Sequence, residues 1–140
     1  MLLASFLGGT QIEKLMAQLM EGYLRAAGEE DAQRQEQVWG TLTSTEQTLS
    51  SQFQRLADDF RQVPTEKARV STLPLALPYF DRIVPAASFD MREMLQLHAR
   101  AIQAACAVEG LSAQERKRRA FTMTAELMLM QHSCHWFCKS

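Results

Sequence analysis

The sequence has little of what strands, disulfide frameworks or membrane spans are made from. Its 140 residues include only 5 Val and 3 Ile, so the β-branched side chains that suit a pleated surface are scarce. With 4 Pro and 6 Gly there is too little punctuation for many short strands joined by tight turns. The three cysteines, Cys106, Cys134 and Cys138, are an odd number, and the last two lie one helical turn apart. That pattern argues against a secreted disulfide framework and for a reducing compartment. No stretch reaches the ~18 uncharged apolar residues of a membrane span. The apolar start from Met1 to Leu7 has no basic residue ahead of it, as an export signal would. A cytoplasmic protein is the expectation. Charge of one sign is also missing: 15 basic residues against 16 acidic give a formal net charge of -1, unlike a chain built to coat nucleic acid.

What is present favours helices. Leu (17), Ala (18), Gln (13) and Met (8) dominate, and their straight or minimal side chains lose little rotamer freedom in a helix. A chain of this length buries about two thirds of its unfolded surface and needs no metal or disulfide to hold together.

Apolar spacing divides the chain. Thr10 to Glu13 reads as a capping box, followed by Ile12, Leu15, Met16, Leu19, Met20, Tyr23 and Leu24 along one helical face as far as Gly28. The acidic run Glu29 to Asp31 suits the start of a second helix. Its seam, Trp39, Leu42, Glu46, Leu49, Phe53, Leu56, Phe60 and Val63, alternates intervals of three and four with one charged member. So narrow a seam predicts a long helix meeting one or two neighbours, within the chain or across a dimer. Thr43 to Glu46 offers a capping box at which that helix could restart, although one long helix is favoured. Pro64, Pro74, Pro78 and Pro85 block helix beyond it, while Leu73, Leu75, Leu77, Tyr79, Phe80, Ile83 and Val84 make the connection apolar, as in a strap across a bundle. Another helix starts at an Asp90 to Glu93 box and carries Met91, Met94, Leu95, His98, Ala101, Ile102, Ala105 and Cys106 on one side until Gly110. The last opens at a Ser112 to Glu115 box and runs toward Cys138. Its first turns are charged; from Ala120 it is apolar around the whole circumference, which marks a central helix or an oligomer interface. The expectation is an all-α single domain over residues 1–140: four to five helices with a proline-containing apolar connection at about 64–88.

Chemistry-bearing residues are few. His132, Cys134, His135 and Cys138 are ligand types that zinc or copper prefers, and thiols that a redox-responsive protein could use. Core packing is the favoured account, since free Cys behaves as a small apolar residue and the C-x2-C and H-x3-H pairs usual in zinc sites are absent. His98, on an apolar face, reads as a core or interface histidine; the alternative, a phosphoryl acceptor, lacks a suitable neighbourhood. Arg116, Lys117, Arg118 and Arg119, following a helix and Gly110-Leu111, have the outline of a DNA-reading helix-turn-helix. However, Arg116 falls where such a helix turns an apolar residue inward, and a solvated helix face explains the charges. There is no glycine-rich phosphate loop, no Glu-x-x-His and no His-Glu-x-x-His, so no catalytic role and no cofactor are expected.

These features point to a protein–protein interaction module, an adaptor, assembly factor, chaperone or regulator, with a homodimer as one form. Phe53 and Phe60 on the long helix and Phe121, Leu127, Met130, Trp136 and Phe137 on the last are the expected contact residues. The eight methionines suit adaptable surfaces. The alternatives are a metal- or redox-responsive protein and a DNA-binding regulator.

Overall fold

The computed structural model describes residues 3, 6, 8, 10–71, 88–106 and 111–139. Four long helices make up most of it: α1 (Ile12–Gly28), α2 (Ala32–Phe60), α4 (Met91–Ala105) and α5 (Ala113–Lys139). Between α2 and α4 lie a one-turn helix, α3 (Thr65–Ala68), and two three-residue strands, β1 (Arg69–Ser71) and β2 (Ser88–Asp90). The described residues are all-α apart from this ribbon, which pairs antiparallel with Val70 opposite Phe89. The ribbon was not anticipated from the sequence; residues 72–87 of the proline-containing connection lie outside the described residues.

Local chemistry sets most helix ends. The Asp31 carboxylate accepts from the Gln33 and Arg34 amides at 2.9 and 3.1 Å, so the acidic run opens α2 as its charge suggested. Asp90 does the same for α4, accepting from the Arg92 amide at 2.9 Å. Ser112 and Glu115 form a reciprocal capping box: the Glu115 amide donates to Ser112 Oγ and the Ser112 amide to Glu115 Oε2. At α1 the cap falls one residue beyond the expected Thr10. The cap is Gln11, which makes no side-chain cap of its own, and its amide donates to Gln52 Oε1 on α2 at 2.8 Å. Thr10 Oγ accepts from the Ile12 amide at 3.4 Å, so Thr10 and a contact with α2 together serve the amides that open α1.

The helix α2 runs without a restart. Thr41, Thr43, Thr45 and Thr48 each donate their hydroxyl to the carbonyl four residues earlier, so this run of poor helix formers is absorbed into the helix. All eight seam residues from Trp39 to Val63 are buried. The seam therefore faces the chain's own core.

Cross-contacts define the packing order. Tyr23 reaches Glu46 and Gln35 reaches the Ala26 carbonyl, so α1 and α2 are antiparallel. Gln54 meets Gln96, and Cys106 meets Glu46, which makes α2 and α4 antiparallel. His98 meets Ser133 while Arg119 meets Ala104, which does the same for α4 and α5. The result is an up-down-up-down four-helix bundle in the order α1, α2, α4, α5. Its ring is least closed where α5 returns to α1, since those two helices touch only sparsely. By contrast α1 and α2 approach closely. Gly22 sits against Leu42, and a Cβ there would overlap the leucine Cδ2 and lie 3.2 Å from its Cγ.

The core is aliphatic and aromatic along most of its length: Leu15 and Leu19 from α1, Leu49, Phe53 and Leu56 from α2, Leu95 and Ile102 from α4, and Met123 and Leu127 from α5. Near one end Phe60 takes Phe6 and Phe137 edge-on, with ring centroids 5.3 and 5.7 Å away. There the Arg92 guanidinium, paired to Asp90 at 2.6 Å, also donates to the Val63 carbonyl and ties α4 to the end of α2.

Candidate interaction surface

Two seams run along α5. Ala120, Met123, Leu127, Met130 and Cys134 repeat at intervals of three and four and are buried in the bundle. Phe121, Ala125, Met128, His132 and Trp136 repeat at similar intervals on the outward side. On this second seam Phe121 is 77% and Met128 62% exposed, with Leu129 beside them at 56%. Ala125 and His132 are exposed and Trp136 is half-buried, its ring 6.5 Å from that of His132. Single exposed apolar residues are ordinary on a protein surface, but three large ones grouped on one helix face are a patch.

A second group of apolar side chains lies on α1. Gly22, facing Leu42, marks the flank of α1 that touches α2. Helical geometry puts Met16, Met20 and Leu24 on the opposite flank, toward α5; the two methionines are half-buried and Leu24 is 78% exposed. Formal charge is sparse along the outer seam. Between Ala120 and Lys139 only Glu126 is charged; it is half-buried, and its charge acts on His98 on the α4 side. Lys117 and Arg118 are exposed at the N-terminal end of the seam.

The seven expected contact residues separate sharply. Phe53, Phe60, Leu127 and Met130 are core residues with almost no exposed surface. They cannot touch a partner while the bundle stays closed, because the apolar seams that made them conspicuous are filled by neighbouring helices. Trp136 and Phe137 are half-buried, and Phe137 is engaged with Phe60. Only Phe121 is fully available. Met128, Leu129 and Leu24 were missed as surface residues. For α5 the signal was the apolar remainder left once a single three-four seam had been assigned inward.

The residues of the metal and redox alternative are set apart by the fold. Cys134 faces the core against the Met130 sulfur at 3.8 Å, while His132 and His135 are exposed. Among the described residues no group of three His, Cys, Asp or Glu side chains converges as a metal site. Burial, and secondarily Cys138, pushes the Cys134 thiol up to about 12, which leaves it a poor nucleophile. Cys106 is also shifted upward, mainly by burial and then by the Glu46 charge.

The basic run is partly consumed by the fold. Arg116 occupies the inward seam of α5 and pairs with Glu36 at 2.7 Å. Arg119 donates to the Ala104 and Cys106 carbonyls at 3.2 and 3.0 Å, capping the end of α4. The helices α4 and α5 run antiparallel along their length, whereas a helix-turn-helix crosses at a steep angle. His98 is buried, with Nε2 2.9 Å from Ser133 Oγ, and burial lowers its pKa while the Glu126 charge opposes that shift. A group so enclosed is not placed to accept a phosphoryl group from a soluble donor.

Toward the end opposite the aromatic cluster is a polar layer. The Tyr23 hydroxyl donates to Glu46 Oε2, and the Cys106 thiol approaches the Glu46 and Ile102 carbonyls at 3.6 and 3.5 Å. Burial, then the Glu46 charge, raises the Tyr23 pKa strongly. Trp39 Nε1 and Arg116 Nη1 are buried here without an acceptor among the described residues.

Comparison of the chain with protein-family models, with curated proteins and with solved structures gave no match.

Proposed function

We propose that this protein is a binding module, an adaptor, assembly factor, chaperone or regulator, that docks a protein partner along the outer seam of α5 and uses no catalytic group or cofactor. The observation that carries this reading is the exposure of Phe121, Met128 and Leu129 on one helix face that bears no formal charge from Phe121 to Trp136. Leaving these side chains in water forgoes about 1.5–3 kcal/mol for each one that a partner could bury. The inner seam of α5 already stabilises the bundle, so the second one is available for association. Three free thiols fit a reducing, cytoplasmic setting.

The test is site-specific photo-crosslinking in cells, with the reactive residue at Phe121 or Met128 and a control at Thr48, which is exposed on α2. Discrete adducts from the two α5 positions and none from Thr48 are expected. Identical patterns from all three, or no adduct at all, would overturn the proposal.

A further inference from the structure

We draw no further inference here: the strongest candidate, the outward apolar face of α5 formed by Phe121, Met128 and Leu129, already carries the proposed docking role, and nothing in the structure shows what covers it.

Discussion

The Tyr23 hydroxyl donates to the Glu46 carboxylate across the α1–α2 contact, placing the one charged member of the α2 seam against a phenol inside the bundle. Glu46 is 2% exposed, so its tolerance in the core depends on such donors. Tyr23→Phe removes one of them while preserving the ring, and should destabilise the protein by about 1–3 kcal/mol in urea titration. Tyr23 also ionises far less readily than a free tyrosine because of burial and the neighbouring charge. Because its folded pKa is raised, the associated stability is intact below the ordinary value near 10 and is lost as the pH rises above it. Ultraviolet titration should therefore show Tyr23 ionising only as the chain unfolds, an effect that Tyr23→Phe removes.

Two helical glycines should respond oppositely to alanine. At Gly22 a methyl group overlaps Leu42, so Gly22→Ala is expected to cost about 1–3 kcal/mol through overpacking, more than the helix propensity gained. At Gly40 nothing lies within 4 Å of the position a Cβ would take, and Gly40→Ala should stabilise by roughly 0.5–1 kcal/mol. Thermal melts of the two variants check both signs.

His98 makes the α4–α5 contact sensitive to acid. Burial lowers its pKa below the ordinary 6.5, with Ser133 and Glu126 as the groups facing it. A histidine shifted downward contributes stability that is present above 6.5 and is lost as the pH falls through its lower folded value. Urea midpoints should decline from pH 7.5 toward pH 5, and the decline should be shallower in His98→Gln. Asp58, lowered by hydrogen bonds from Gln96 and Gln54, adds a second loss only below the ordinary carboxylate value of 3.8.

Arg116 and Arg119 are neighbours in the basic run with different structural weight. Arg116 pairs with an exposed Glu36 and leaves Nη1 buried without an acceptor, an arrangement that commonly stabilises little. Arg116→Met is expected to leave stability unchanged or raise it by about 1 kcal/mol. Arg119→Met strips two carbonyls at the end of α4 of their donor and should cost about 1 kcal/mol. Comparing the two denaturation curves checks the order.

Much of the architecture was encoded locally. The carboxylates of Asp31 and Asp90 and the Ser112–Glu115 pair mark helix starts because a cap is a bond between residues two or three apart, within reach of the sequence itself. The α2 seam likewise identified its own buried residues, since only one face of that helix is apolar. The sequence alone thus determined the helical class and most of the segments. Tertiary structure decided what each face meets. It gave the Gln11 amide a partner on α2, set Arg116 inward and Arg119 on the end of α4, and covered Glu46 with Tyr23. It also settled which α5 seam turns inward, burying Leu127 and Met130 and leaving Phe121 and Met128 outside. On a helix apolar all round, periodicity ranks no face above another; the positions of α1, α2 and α4 break the tie, and those positions depend on contacts between residues far apart in the chain.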